Sequence, residues 1–504
     1  MKCCLLPCVI LLSWTPEKEA RQTASQPAAI DPVQQATARV DTALMHDYEL
    51  ALTNMRKANF APLLLMADDT TFLRRACIDL AGRLPRPDEV RAFVSDPTPE
   101  KRAKLTDSLT REPGGTEVRF RMLAEAFRVT DEDPETISWL RQAAADDRPY
   151  AEIISGMIGT GRVSRRDGGD AMRTGVETAY SVLGLDTRCA MCHDHPFSER
   201  TEMECYAFAA CFAGKGEVRL PHDYKYPNGK PGDVVQPALL RIDRAWRPFI
   251  QDNEDKLTQV AKWLTNEEPT KRFALVAVMR VWSGLFGMPE QIINNTVGGV
   301  DDEPSWNETH GNCFTRSQRR AATWIDMNIN RPGDFSQAPK VLIEEFLRCG
   351  CRIGEFQRLL ARTNAYQRSG INYNTDWQDC QLAPAPHIRR LPTEVIWKAL
   401  TDETDIQLPQ IPQPGHPLRM LGRGTREWTD ESRTPLSHEL VRFMMNDKLI
   451  DHATAKAGDA EEMFLELLGR EPTENERAAI LRNAASNQDV AWALLNTKEF
   501  LFRP

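Results

Sequence analysis

Apolar side chains recur every three or four positions along most of the chain, which is the spacing of one face of an α-helix. Val33, Ala36 and Val40 follow this spacing directly after the helix-start signal Asp31-Pro32. The same period, separated by capping and proline residues, predicts further helices over residues 72–80, 88–93, 99–109, 117–129, 135–146, 149–158, 253–265, 271–286, 318–327, 340–348, 353–366, 392–401, 436–452, 459–468, 473–485 and 487–500. The sequence therefore predicts a protein built mainly from α-helices.

The period changes from that of a helix to that of a strand within residues 216–242. Val218 and Leu220 alternate with charged residues, and a second apolar run follows the dipeptide Asn228-Gly229. Asn-Gly between two alternating runs is typical of a β-hairpin. We expect a mainly α, helical multi-domain protein with a small β-hairpin insertion near residues 216–242.

Length and proline content suggest how the chain is divided. A chain of 504 residues is long enough for about three domains. We expect a first helical domain over 31–250 and a second over 251–504, with polar, proline-containing linkers at 371–386 and 408–435. In the predicted helices, Trp282 and Trp492 lie among apolar neighbours, which predicts that both are buried core residues.

The first residues have the features of an export signal. One lysine, Lys2, precedes an apolar stretch over residues 3–14 that is too short to span a bilayer. We expect residues 1–25 to be a signal peptide and the protein to be periplasmic or at the cell surface; the alternative is a disordered N-terminal tail. The rest of the sequence contains no run of about 18 uninterrupted apolar residues, so no transmembrane segment is expected in the mature chain.

Charge and motifs exclude several functions. The net charge is −9, from 63 basic and 72 acidic side chains, and no long basic run is present, so a nucleic-acid partner is not expected. The chain contains no phosphate-binding P-loop, no H-E-x-x-H and no G-x-S-x-G. The sequence thus names no enzymatic reaction.

The most informative motif is Cys189-Ala190-Met191-Cys192-His193. Two thiols at this spacing add to the two vinyl groups of a porphyrin, and the histidine that follows is placed to ligate the iron. This motif predicts a c-type haem bound by Cys189, Cys192 and His193. Spacing does not identify the other axial ligand, for which the candidates are Met157, Met172, Met203 and His222.

Two other interpretations of the motif remain open. Cys189, Cys192, His193 and His195 also suit zinc or another thiophilic metal, because thiolate and imidazole are the ligands of such sites. The two cysteines also have the spacing of a C-x-x-C redox pair or a structural disulfide.

Two segments of the first half resemble a known family. The residues FLRRACIDLAGRLPRPDEVRAFVSDPTPEKRAKLTDSL (72–109) and GLDTRCAMCHDHPFSERTEMECYAFAACFAG (184–214) resemble the PSCyt-type domain, a planctomycete cytochrome-associated domain of unknown function. The resemblance implies an exported protein whose C-x-x-C-H-x-H-P-F stretch corresponds to Cys189, Cys192, His193, His195, Pro196 and Phe197.

Four segments of the second half resemble the PSD-type domain that normally follows the PSCyt-type domain. They lie at 271–287, 342–369, 389–400 and 463–502. Two functional classes follow from these expectations: an exported redox protein that transfers electrons through haem, with a periplasmic redox partner or another exported protein, and a non-enzymatic exported scaffold or binding module whose Cys/His cluster is structural.

Overall fold

The structure is a computed structural model that describes residues 31–54, 64–195, 200–241, 250, 254–267, 271–287, 337–370, 384–401, 408–426 and 438–503. The predicted signal peptide at 1–25 lies outside these residues. So do residues 371–383 and 427–435 of the two predicted linkers, the predicted helix at 318–327, and Pro196 and Phe197.

Within the described residues the protein is mainly α, as predicted. The helices are α1 (Pro32–Asn54), α2 (Asp69–Ala81), α3 (Pro87–Ser95), α4 (Lys101–Arg111), α5 (Pro113–Ala126), α6 (Pro134–Ala145), α7 (Tyr150–Ile158), α8 (Arg162–Arg166), α9 (Ala171–Leu183), α10 (Glu202–Ala210), α11 (Lys256–Lys262), α12 (Arg272–Phe286), α13 (Ala338–Arg348), α14 (Ile353–Ala361), α15 (Asn364–Gln367), α16 (Thr393–Thr401), α17 (Pro417–Met420), α18 (His438–Asn446), α19 (Lys448–Ala455), α20 (Ala460–Met463), α21 (Glu474–Arg482), α22 (Asn487–Leu495) and α23 (Lys498–Leu501). A 3₁₀ turn covers Arg188–Met191, and π-helical turns extend α11 over Trp263–Glu267 and α20 over Phe464–Leu468.

Helix α2 shows how local signals fix the ends of these elements. The side chain of Asp68 accepts a 2.7 Å hydrogen bond from the backbone N–H of Thr71 and caps the first turn. Gly82 follows the last turn with φ of +62°, a left-handed conformation that side chains with a Cβ rarely adopt. Both signals are local in sequence, and the helix predicted over residues 72–80 is confirmed.

The larger apolar core, which we call the first core, contains side chains from both sides of residue 250. Leu140 and Ile154 come from helices before that point, whereas Val278, Phe346 and Phe356 come from helices after it, and all five are buried. Because these helices share one core, the apolar packing does not divide at residue 250. The proposed domain boundary there stays a prediction.

A second core forms around the C-terminal helices. It contains Ile396, Phe443, Leu494 and Phe500, together with Ile78 from α2. Strands β1 (Arg389–Arg390) and β2 (Phe502–Arg503) pair antiparallel beside it. Helix α2 therefore contributes to both cores and joins them.

Within the predicted linker at 408–435, α17 is followed by Leu421, which is fully buried in the second core.

The predicted β insertion is present in a minimal form. Arg219 and Val234 form one isolated antiparallel bridge, and the N–H of Val235 donates a 2.9 Å hydrogen bond to the carbonyl of Val218. Ala238 is a further bridge residue, and the other residues up to 241 form turns and irregular backbone. Pro227 and Pro231 lack the N–H that a longer ladder requires.

The two tryptophan predictions have opposite outcomes. Trp282 is buried, with 7% of its surface exposed, and its ring stacks on Phe286 at a centroid distance of 3.9 Å. The prediction for Trp492 is wrong: 39% of its surface is exposed, and its indole N–H donates to the carbonyl of Met445. The face of helix α22 that carries Val490 and Leu494 packs into the second core. Trp492 lies two positions from each of these residues and therefore on the opposite face.

No helix among the described residues is long and apolar enough to cross a membrane.

Candidate functional site

The C-x-x-C-H motif lies on a short turn between α9 and α10. Helix α9 ends at Gly184, whose φ is +65°. The carboxylate of Asp186 then accepts a 3.1 Å hydrogen bond from the backbone N–H of Arg188 and a 2.9 Å bond from its guanidinium Nε. Asp186 and Arg188 thereby fix the start of the 3₁₀ turn that contains the first cysteine.

One carbonyl group organises the motif. The carbonyl oxygen of Cys189 lies 3.3 Å from the backbone nitrogen of Cys192 and 3.4 Å from that of His193, and both nitrogens donate to it. These bonds close the backbone of the two cysteines and the histidine into one turn.

Burial differs between the two sides of this turn. Ala190 is 1% exposed and packs in a small cluster with Val176 and Cys205. Cys189 and His193 are half-buried and Cys192 is exposed. The turn is anchored through Ala190, and the side chain of Cys192 is accessible.

The imidazole of His193 is held by the backbone of the next residue. Its Nδ1 lies 2.8 Å from the carbonyl oxygen of Asp194. A carbonyl oxygen only accepts, so in the neutral imidazole Nδ1 carries the proton and Nε2 carries the lone pair. This is the arrangement found when a histidine ligates a metal through Nε2 and donates its other N–H to a carbonyl.

Asp194 is itself held by residues that the sequence analysis did not identify. Its backbone N–H donates a 2.7 Å hydrogen bond to the hydroxyl oxygen of Tyr226, and its carboxylate Oδ1 accepts a 2.8 Å bond from the N–H of Glu202. Tyr226 is 32 residues away, in the β insertion, so no spacing rule links it to the motif. Glu202 begins α10, whose capping box between Thr201 and Glu204 is readable from sequence.

His195 contributes through its backbone. Its N–H donates a 2.8 Å hydrogen bond to the carbonyl of Arg200. The described residues include all four predicted metal ligands, Cys189, Cys192, His193 and His195, and contain no group of three or more His, Cys, Asp or Glu side chains placed to hold a metal ion. None of the described cysteines is joined in a disulfide.

Two titratable groups are buried beside the motif. Glu202 is 2% exposed, and burial raises its carboxyl pKa, with the nearby charges of Asp223 and Asp194 acting in the same direction. Cys205 is 4% exposed, and burial raises its thiol pKa to about 12. Cys205 is therefore a protonated, unreactive thiol at neutral pH.

The four candidates for a second axial ligand occupy different environments. Met172 lies behind the motif, with its sulfur 3.7 Å from that of Cys205. Met157 is buried in the first core, Met203 packs in the apolar cluster of the β insertion, and His222 is exposed. Met172 packs against the small cluster that contains Ala190.

Comparison with known proteins identifies one similarity. The PSCyt2 family model, described as a protein of unknown function (DUF1549), matches residues 50–176, about a quarter of the chain. The match supports the PSCyt-type resemblance for the part that ends within α9, shortly before the C-x-x-C-H turn. No curated protein and no solved structure matches the chain. The resemblance of the second half to the PSD-type domain stays a prediction.

Proposed function

We propose that this chain is an exported redox protein that carries a c-type haem on Cys189 and Cys192, with His193 as an iron ligand. The observation that supports the proposal is the shared hydrogen bonding of Cys192 and His193 to the Cys189 carbonyl, because it closes the two cysteines and the histidine into one turn. Cys192 is exposed and Cys189 and His193 are half-buried, whereas Ala190 packs against the protein body.

The covalent step is an addition. Cys189 and Cys192 would hold the haem through thioether bonds: each S–H would add across one vinyl group, with the sulfur on one carbon and the hydrogen on the other, so no oxidant would be needed. When bound, haem supplies a one-electron couple at the iron. His193 offers the Nε2 lone pair, since its Nδ1 proton is engaged by Asp194, and Ala190 holds the turn against the protein body.

The test is to express the full chain in a host that matures c-type cytochromes and to stain denaturing gels for haem. We expect covalent haem in the parent chain and in Cys211→Ser, a control whose buried thiol bonds the carbonyls of Ala207 and Ala238. Cys192→Ser should lose most of the covalent haem. His193→Ala should keep the thioether bonds and shift the Soret band.

The other outcomes separate the alternatives. Stoichiometric zinc or another thiophilic metal without haem, lowered by Cys192→Ser and His193→Ala, would favour the metal site of Cys189, Cys192, His193 and His195. Neither haem nor metal would favour an exported scaffold or binding module with a structural cluster. In either case the haem proposal would be wrong.

The proposal includes export and a partner outside the cytoplasm, either a periplasmic redox protein or another exported protein. The apolar stretch at 3–14 after Lys2 supports export. The expected mature protein from the native source starts near residue 26, and N-terminal sequencing measures this directly. An intact Met1 on a cytosolic pool would contradict it.

We also propose that the helices after residue 250 correspond to the PSD-type domain.

A further inference from the structure

We propose that Tyr226 is a positioning residue for the His193 imidazole and acts through the backbone of Asp194. The inference deepens the proposed function, because it assigns to the β insertion the task of orienting the iron ligand. Its geometry and its main test do not require haem.

The first step concerns the proton on the imidazole. A neutral histidine without a fixed partner mainly carries its proton on Nε2, the nitrogen that a ligating histidine must leave free. The 2.8 Å bond from Nδ1 to the Asp194 carbonyl selects the other tautomer. The direction of that carbonyl therefore decides whether Nε2 is available as a ligand.

The second step concerns what fixes the carbonyl. The planar peptide group that contains the Asp194 carbonyl also contains the N–H of His195, which bonds the carbonyl of Arg200. On the other side of the Asp194 α-carbon, the N–H bonds the Tyr226 hydroxyl at 2.7 Å. Of these two contacts, the one with Tyr226 is made by a side chain. The substitution Tyr226→Phe therefore removes the accepting hydroxyl oxygen and leaves the backbone groups in place.

The third step concerns what holds Tyr226. Its ring lies against Tyr224 at a centroid distance of 5.6 Å and in an edge-on orientation. It also packs against a small apolar cluster that contains Ala207 of α10 and Leu220 and Val235 of the insertion. The hydroxyl oxygen is thus fixed relative to α10 and to the motif, as orientation of a ligand demands.

Tyr224 offers a matched control. It is the neighbouring tyrosine in the same cluster, and its hydroxyl bonds the side chain of Asn228 instead of Asp194. Replacing either tyrosine with phenylalanine removes one hydroxyl from the same cluster, but only Tyr226→Phe removes the contact with the backbone of the motif.

The experiment measures the tautomer of His193 in the full chain without haem, by ¹⁵N NMR of histidine-labelled protein, with His193→Ala to assign its signals. The parent chain and Tyr224→Phe should show mainly the Nδ1–H form. In Tyr226→Phe the ratio of Nδ1–H to Nε2–H should fall about fivefold, close to what one ordinary hydrogen bond contributes. An unchanged ratio in Tyr226→Phe would overturn the positioning role, as would an equal fall in Tyr224→Phe.

A second measurement uses the haem-loaded protein. Added imidazole should displace His193 more readily in Tyr226→Phe than in Tyr224→Phe, with both variants retaining covalent haem; equal displacement would count against the role. Absence of haem from the parent chain would contradict the proposed function alone, because the tautomer measurement on the haem-free chain still decides the role of Tyr226.

Discussion

The hydroxyl group of Tyr366 donates a 2.9 Å hydrogen bond to the carboxylate of Asp79, and the two residues are 287 positions apart in sequence. Both side chains are buried. The same carboxylate accepts from Arg503 of β2 and, at 3.5 Å, from Arg389 of β1. Asp79 therefore ties α2 to the first core and to the C-terminal strands at one point.

Loss of the Asp79 carboxylate should be strongly destabilising. Asp79→Ala leaves the buried guanidinium of Arg503 without its carboxylate, and breaking a buried pair in this way typically costs about 3–5 kcal/mol. The free energy of unfolding from chemical denaturation measures the effect. The control is Asp88→Ala, since the Asp88 side chain is 81% exposed and should change stability by less than about 0.5 kcal/mol. Equal effects of the two substitutions would contradict the role of Asp79.

The two tryptophans should respond differently to replacement. Trp282→Ala removes a buried ring from the first core and should cost about 3–5 kcal/mol. Trp492→Ala removes a ring that is 39% exposed and should cost clearly less. Denaturation of both variants under the same conditions gives the comparison, and a larger cost for Trp492→Ala would contradict the packing described for α12 and α22.

Stability should fall as the pH is lowered through a window set by His387. Burial, with the nearby charge of Arg389, lowers its pKa from 6.5 to about 4. Between these values the unfolded chain binds a proton that the folded chain does not, so the free energy of unfolding decreases from pH 6.5 down to about 4. The difference in unfolding free energy between the parent chain and His387→Leu should therefore change across this window. A difference that is the same at pH 7 and pH 4 would show that His387 does not titrate with a lowered pKa.

The cysteines should differ in their reactivity. In the haem-free chain, the exposed Cys192 should be alkylated rapidly at neutral pH, whereas Cys77 and Cys205 are buried with thiol pKa values raised to about 12 and should react slowly. Mass spectrometry of peptides after timed alkylation measures the order. Faster modification of Cys205 than of Cys192 would contradict the described orientation of the motif.

Local signals explain which elements the sequence predicts well. Asp68 caps the first turn of α2, and the left-handed Gly82 follows its last turn. Each signal lies next to the helix end that it fixes, so both ends can be predicted from the sequence alone. The helical period does not reveal whether neighbouring helices cover every face of a helix. For that reason the sequence predicts Trp492 in the core, although its face of α22 is partly exposed.

The candidate site is predictable only in part for the same physical reason. Cys189, Cys192 and His193 lie within five residues of each other, so their spacing can be recognised in the sequence. The support of His193 by Asp194 and Tyr226 depends on how the β insertion folds back onto the motif, a contact between segments 32 residues apart. Such a contact has no local pattern in the sequence.

The most direct test of the central claim is the intact mass of the denatured full chain, purified from a host in which a control cytochrome c is matured. The account predicts a chain heavier by one haem, with haem absorbance that survives denaturation and is lost in Cys189→Ser/Cys192→Ser. An unmodified mass without haem absorbance, from cells in which the control cytochrome is mature, would contradict the assignment of this turn as a haem site.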